Sequence, residues 1–259
     1  MADKKKCVAE VVSQKMVSEG IYSMWLAFPE GQDIAAAAVP GQFISLYCKD
    51  GSRLLPRPIS ICEIDKERSR IRIVYRVAGK GTEEFSGLAA GDAVAVFGPL
   101  GNGFTIKGGK SLLIGGGIGI PPMLELAKSI QGEVSVVLGY RDSDLFLKKE
   151  FEPYAEVYVS TEDGSAGTRG NVIDAILAQG LDADVIYACG PLPMLRGVKA
   201  YAEGKAIPAQ ISMEEKMACG IGACLACVCQ SKEKDAHSNV NNKRVCKDGP
   251  VFDAQEIEL

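Results

Sequence analysis

The residues most able to do chemistry are four cysteines near the C-terminus: Cys219, Cys224 and Cys227 in the run Cys219-Gly220-Ile221-Gly222-Ala223-Cys224-Leu225-Ala226-Cys227, and Cys246 after a polar insertion. Their spacing, C-x4-C-x2-C…C, is that of plant-type [2Fe–2S] ligation. Three thiolates on one tight loop wrap one side of a cluster, and the fourth arrives from a distant strand. Gly220 and Gly222 permit left-handed backbone and leave room for amides to approach the sulfurs. The competing reading is a non-redox module with a structural four-thiolate zinc site. Structural zinc usually takes two short Cys/His pairs, and only one C-x2-C exists here. Cys229, two residues past Cys227, shares a face with it on an extended chain and is expected to be structural.

A second group combines Arg57, Pro58, Ile59 and Ser60 with Val74, Tyr75 and Arg76 on the following strand and with Gly81-Thr82 at a helix entry. Arg57 is a planar donor suited to a pyrophosphate, and the helix start offers free amides to the same group. Ser60 places a hydroxyl where a flavin ring would lie, with Tyr75 stacking on or bordering it. A third group is the turn Gly115, Gly116, Gly117, Ile118, Gly119 leading into Pro121-Pro122, where glycines bring backbone close to a dinucleotide phosphate at a helix start. Ile120 occupies the place of the third glycine of G-x-G-x-x-G, so the standard fingerprint is absent. Cys189, Gly190 and Pro191 form a second turn on the same sheet edge. Cys189 is expected near a nicotinamide or, equally well, as a buried strand-end thiol.

These groups need particular scaffolds. Short alternating runs at Val8–Val12, Ile21–Phe28, Phe43–Cys48, Ile59–Ile64, Arg70–Val77 and Ala93–Phe97, separated by turns such as Pro40-Gly41 and Asp50-Gly51, predict an antiparallel β-barrel with one helix near Thr82–Leu88. Beyond Gly98–Gly103 the period changes. Strands at Ser111–Ile114, Val134–Leu138, Val157–Ser160 and Val185–Ala188 alternate with helices at Pro121–Ile130, Phe146–Tyr154, Asn171–Gln179 and Pro193–Glu203, which predicts an α/β doubly wound parallel sheet. The expected domains are therefore 1–103 (barrel), 104–210 (α/β) and 211–259, the last too short to core itself without a metal.

The 259 residues carry a net charge of −4, with no basic block beyond Lys4-Lys5-Lys6, so nucleic acid is an unlikely partner. No apolar run reaches the length of a membrane-spanning helix, and Met1 to Cys7 leads into no signal core. Nine cysteines, five of them between Cys219 and Cys246, suit metal ligation in a reducing compartment rather than a disulfide framework. A cytoplasmic chain is expected. His237, the one histidine, sits in the polar insertion and is expected to be a solvated loop residue.

In their order, Arg57-Pro58-Ile59-Ser60, Gly98-Pro99-Leu100-Gly101, the Gly115–Gly119 turn and Cys189-Gly190-Pro191 resemble the ferredoxin-reductase superfamily, in which an FAD-binding barrel precedes an NAD-binding α/β domain. Within it, Ser212-Met213-Glu214-Glu215-Lys216-Met217-Ala218-Cys219 and the ending Val245-Cys246-Lys247-Asp248-Gly249-Pro250-Val251-Phe252 resemble the electron-transfer subunits of NAD-dependent (type B) dihydroorotate dehydrogenases. That resemblance implies FAD contacts at Arg57–Ser60, Val74–Arg76, Gly81 and Thr82, and cluster ligands at Cys219, Cys224, Cys227 and Cys246. It also implies a separate FMN-containing catalytic subunit that oxidises dihydroorotate in pyrimidine (UMP) biosynthesis, two copies of each subunit, and electron flow from FMN through [2Fe–2S] and FAD to NAD+. The stretch Lys232–Lys243 departs from the family as a variable loop and touches no ligand. An FAD/[2Fe–2S] subunit of a ferredoxin:NADP or sulfide-linked oxidoreductase shares most of these motifs; the Glu214–Ala218 lead distinguishes the two. Arg141 and Asp142, after the second parallel strand, point both ways between NADP and NAD, and the resemblance selects NAD.

Overall fold

In this computed structural model residues 4–32, 34–234 and 239–259 are described, so His237 and the expectation about it lie outside them. The predicted alternation produces a closed antiparallel barrel of β1 (Lys5–Ser18), β2 (Ile21–Ala27), β3 (Phe43–Tyr47), β4 (Arg57–Asp65), β5 (Arg70–Arg76) and β6 (Ala93–Leu100), in the order β1-β2-β5-β4-β3-β6. Val11, Met24, Leu26, Ile44, Leu46, Ile61, Ile71, Ile73 and Val96 fill its interior. Strand β1 runs well beyond the expected Val8–Val12 because it serves two neighbours. Lys5 to Glu10 pair with β6, and Glu10 to Ser18 pair with β2 through register shifts near Val11 and Met16 that let it bend. Helix α1 (Ile34–Ala37) was not anticipated, and α2 (Lys80–Ser86) starts two residues earlier than Thr82. The Thr82 hydroxyl accepts from the amides of Ala78 (2.9 Å) and Gly79 (3.2 Å), which closes the first turn of α2.

The second layer is a seven-stranded sheet. Strands β7 (Ser111–Gly116), β8 (Val134–Tyr140), β9 (Glu156–Thr161), β10 (Thr168–Arg169), β11 (Val185–Cys189) and β12 (Ala209–Ser212) are parallel, with α3 (Pro121–Ser129), α4 (Lys148–Phe151), α5 (Val172–Gln179) and α6 (Leu192–Lys205) between them. The helix expected over Phe146–Tyr154 is a single turn. Leu147 takes φ +63, and the Tyr140 hydroxyl holds the Phe146 carbonyl at 2.9 Å, so Phe146 and Leu147 anchor a loop instead.

The C-terminal segment forms β13 (Val228–Gln230) paired with β14 (Asn242–Arg244), then β15 (Val251–Asp253), which adds antiparallel to β12 at the sheet edge. The expected boundary at 210/211 falls within β12. Cys227, Cys229, Val245, Cys246 and Phe252 pack in one cluster with Phe43 and Leu100 of the barrel and Ile211 and Met213 of the sheet. The segment thus borrows core from both neighbours.

A buried ion-pair network joins barrel to sheet on another side. Arg72 on β5 pairs with Glu63 on β4 (2.5 Å) and with Glu150 on α4 through two contacts, one of 3.1 Å, while its Nε donates to Ser23 Oγ (2.8 Å). Lys128 on α3 reaches Glu63 (3.1 Å), and Glu125 accepts from the Ile64 amide (2.9 Å). The strands carrying Arg57–Ser60 and Val74–Arg76 are thereby tied to the helix that follows the Gly115–Gly119 turn.

Candidate iron–sulfur and dinucleotide sites

Left-handed backbone at Gly220 (φ +68), Gly222 (φ +85) and Leu225 (φ +58) curls the cysteine loop so that its amides face sulfur. Ile221 and Ala223 donate to Cys219 Sγ at 3.5 and 3.2 Å, Gly222 donates to Cys246 Sγ at 3.1 Å, and the Cys246 amide donates to Cys227 Sγ at 3.4 Å. The four thiols neighbour one another: Cys224 acts on Cys219, and both Cys227 and Cys219 act on Cys246. Thiols gathered on one loop and the turn facing it, with backbone amides donating to their sulfurs, suit a two-iron cluster.

Burial pushes the Cys219 thiol up, but the amides of Ile221, Cys224 and Ala223 and the Cys224 thiol outweigh it and bring it below the ordinary thiol range. Such donors stabilise thiolate, the ligating form. Cys246 is raised by burial and then by its Cys227 partner. Cys229 is pushed up to about 11, mainly by burial, and its thiol donates to the Lys243 carbonyl at 3.6 Å, as a structural cysteine would. Cys227 and Cys246 are buried, while Cys224 is exposed between the exposed Ile221 and Leu225. The turn presenting Cys246 is braced by Asp248, whose carboxylate takes Arg244 Nε at 3.0 Å, Nη2 at 3.1 Å and the Arg244 amide at 2.8 Å.

At the start of β4 the Arg57 guanidinium donates to the Leu55 carbonyl and lies across Gly81, where any Cβ would collide with it. A groove of about 580 Å³ opens beside it, lined by Ser52–Pro58 and by Glu215, Lys216 and Met217. Pro58, Ile59 and Ser60 are half-buried along β4, Thr82 is buried, and Arg76 is exposed at the end of β5. Tyr75, expected to stack on or border a flavin, packs here against the barrel. Its ring is 1% exposed inside the barrel, its hydroxyl donates to Gln14 at 2.8 Å, and it stacks on Tyr22. Val74, on the opposite face of β5, is buried with Ile120 of the glycine turn. A cation at a groove mouth beside a glycine that admits no side chain fits a pyrophosphate.

The two glycine turns of the α/β domain meet. A Cβ on Gly119 would collide with the Cys189 carbonyl and stand 2.6 Å from Gly190 Cα, and one on Gly116 would stand 3.3 Å from Pro191. Gly115 is tight against Ile120 as well, so these glycines serve packing between strands β7 and β11. Gly117 is different, with φ +53 and nothing within 4 Å of a Cβ, and it leaves an open cradle at the carboxyl edge where dinucleotides bind. Cys189 is 1% exposed. Burial pushes its thiol up, the charge of Glu214 adds to this, and the Ser212 side chain opposes it. The Glu214 side chain reaches solvent yet stands among enough protein for its carboxyl to be pushed up by burial, with Arg76 opposing. Ser212 and Glu214 thus act on Cys189, and Arg76 on Glu214. Arg141 and Asp142 are exposed after β8.

Sequence reasoning missed Ser45. Its type and spacing carry no signal, because its surroundings arise only where the cysteine loop crosses β3.

Comparison with known proteins agrees with this arrangement. Residues 214–258 match the iron–sulfur cluster binding domain of dihydroorotate dehydrogenase B, and residues 113–200 match the oxidoreductase NAD-binding domain. The chain is 44% identical over 258 residues to the dihydroorotate dehydrogenase B (NAD(+)) electron transfer subunit of Geobacillus thermodenitrificans, covering 96% of this chain and 97% of that protein. It is 42% identical over 259 residues to the same subunit of Bacillus cereus, with the same coverage. Among solved structures, an NADH-dependent reduced ferredoxin-NADP oxidoreductase superposes with a TM-score of 0.85 at 30% identity, over 97% of this chain and 90% of that one. A flavohemoglobin from Malassezia yamatoensis shares the fold at a TM-score of 0.65 and 20% identity, over 80% of this chain and 60% of that one.

Proposed function

The chain belongs to the family of electron transfer subunits of dihydroorotate dehydrogenase B (NAD(+)), and from that membership we propose that Cys219, Cys224, Cys227 and Cys246 hold its [2Fe–2S] cluster, with FAD along β4 and β5 and NAD(H) at the Gly115–Gly119 and Cys189–Pro191 turns. The observation that carries this reading is the gathering of the cysteine loop and the Cys246 turn on the outside of the barrel, with backbone amides donating to the sulfurs of Cys219, Cys227 and Cys246. When bound, the flavin supplies hydride exchange and the cluster single-electron transfer. The chain's own residues bind and orient. Arg57 would fix the flavin's pyrophosphate, Gly117 would admit the nicotinamide dinucleotide's phosphate, and the buried Cys189 and Ser212 stand at adjacent strand ends of the sheet's carboxyl edge.

An electron transfer subunit works with a catalytic partner. The finer reading is an FMN-containing subunit that oxidises dihydroorotate to orotate in pyrimidine biosynthesis, two of each subunit forming a heterotetramer. The exposed Cys224, flanked by exposed Ile221 and Leu225, is the edge of the loop open to such a partner. All nine cysteines are free, which suits action in a reducing cytoplasm. No helix among the described residues is long and apolar enough to cross a membrane. The lower identity to the ferredoxin-NADP oxidoreductase and the match over 214–258 favour the dihydroorotate reading over its ferredoxin-linked relative.

The test is division of labour. The isolated chain is expected to oxidise NADH with ferricyanide while leaving dihydroorotate untouched, and to carry iron and sulfide in equal amounts. Co-expression with an FMN-containing catalytic subunit is expected to yield a co-purifying complex that couples dihydroorotate to NAD+. Dihydroorotate turnover by the chain alone, or colourless protein with stoichiometric zinc, overturns the assignment.

A further inference from the structure

We propose that the Ser45 hydroxyl donates a hydrogen bond to a sulfur of the [2Fe–2S] cluster and so sets the cluster's reduction potential. The inference rests on the cluster ligation proposed above. On β3, Ile44 and Leu46 point into the barrel, so by the two-residue period of a strand Phe43 and Ser45 point outward. That face would ordinarily be wet. Here it is covered by the C-terminal segment, with Phe43 packed in the cluster that holds Cys227 and Cys246, and Ser45 is 1% exposed. Its Oγ has no hydrogen-bond partner in the chain.

The residue directly over it is Gly220, next to Cys219, so close that a Cβ there would stand 3.3 Å from Ser45 Oγ. Its cross-strand neighbours, Pro58 on β4 and Phe97 on β6, offer no side-chain acceptor. A buried hydroxyl without a partner is rare in native proteins and calls for an explanation. The loop lying over Ser45 is the one that carries Cys219. Ser111 and Ser160 also lack partners, but they lie on the α/β sheet, away from the cysteine loop. Hydrogen bonds to cluster sulfurs are one of the terms that fix the potential, because they favour the more negative, reduced form. Ser45 also pairs across β3–β4 with Pro58 of the flavin-binding strand, which places it between the two redox sites.

The experiment compares wild type, Ser45→Ala and Ser45→Thr as FAD- and iron-loaded protein, titrating the cluster by EPR and recording ENDOR after exchange into D2O. Ser45→Ala is expected to keep its iron, to shift the cluster midpoint negative by about tenfold in the one-electron equilibrium constant, about 59 mV, and to lose one exchangeable proton coupling. Ser45→Thr, which keeps the hydroxyl, is expected to restore both. Selective deuteration of serine in the wild-type protein gives a readout that needs no substitution, namely a coupling from serine β-deuterons to the reduced cluster. The proposal is overturned if the midpoint and proton coupling are unchanged in Ser45→Ala, if the flavin potential moves in place of the cluster's, or if the serine-deuterated protein shows no coupling. An iron-free wild type would instead sink the ligation itself, a separate result.

Discussion

Replacing Arg72 by Met tests whether the seam between barrel and α/β sheet is held by charge. The Arg72 side chain is 5% exposed and lies between Glu63, at 15%, and Glu150, at 37%. Removing one member of a buried ion pair costs about 3–5 kcal/mol, because the abandoned charge stays desolvated. Two features lower that figure here. Glu150 is more than a third exposed, so water and salt screen it, and Glu63 keeps Lys128 at 3.1 Å. About 2–3 kcal/mol remains, which for a chain of this size lowers Tm by roughly 5–10 °C. Glu150→Gln, acting on the exposed end, should cost less than half as much. Calorimetry of the flavin-loaded protein measures the loss, and stopped-flow reduction by NADH reports the domain geometry, expected to slow as α4 loosens from β5. A Tm change in Arg72→Met under about 3 °C, or an equal loss in Glu150→Gln, would refute the argument that the buried cation holds the seam.

Gly119→Ala drives a Cβ into the Cys189 carbonyl and to 2.6 Å from Gly190 Cα, backbone that cannot turn aside, so the KM for NADH is expected to rise at least about tenfold with a lowered Tm. Gly117→Ala meets no atom within 4 Å and incurs only the left-handed backbone cost of about 1 kcal/mol, which a melting comparison of the two variants checks. For Asp248, burial raises the carboxyl, but the Arg244 bonds outweigh it and hold it below the ordinary carboxylate value. Its stabilising contribution is therefore complete above about pH 3.9 and vanishes as pH falls through the depressed folded value. Asp248→Asn is expected to be less stable than wild type near neutrality, with the difference closing in acid, and to lose visible absorbance to an iron chelator severalfold faster. Equal bleaching rates would separate the turn from cluster retention.

The sequence exposed what is periodic or chemically spaced. All six barrel strands and the four core strands of the sheet announced themselves by alternation or apolar runs, and the cysteine spacing pointed to two irons before any geometry was known. What stayed hidden was made by contact. Strand β1 was underestimated because Lys and Glu on its outer face and Gln14 on its inner one break the apolar rhythm, and β10, β12 and β15 are too short to show a period. The face that Tyr75 takes was not legible either: a strand sends adjacent side chains to opposite faces, and the Tyr75 ring packs in the barrel interior while Val74 packs outside it. The glycines of the Gly115–Gly119 turn were all expected to approach phosphate. Gly119 also abuts the end of β11, Gly116 abuts Pro191 and Met194, and Gly115 abuts Ile120 and Met123, close approaches visible only once β7 and β11 are adjacent.

The placement of the C-terminal segment has a consequence for electron transfer. A functional constellation must be held within about 0.5 Å to work, and loops seldom achieve this unless rigid elements brace them. Here the bracing comes from three directions. Strand β15 hydrogen-bonds to β12 at the sheet edge. The Asn102 amide donates to the Gly249 carbonyl at 2.6 Å while its side chain holds the Asp248 carbonyl at 2.9 Å. Gln210, on β12, clasps both the amide and the carbonyl of Thr105, at 2.8 and 2.7 Å, where barrel passes into sheet. The last two contacts join the cysteine-bearing segment, or the strand it rests on, to the chain just after β6, and the first joins it to the sheet edge. The cluster loop proposed above is thus held to barrel and sheet together by backbone and side-chain hydrogen bonds around the β6–β7 link.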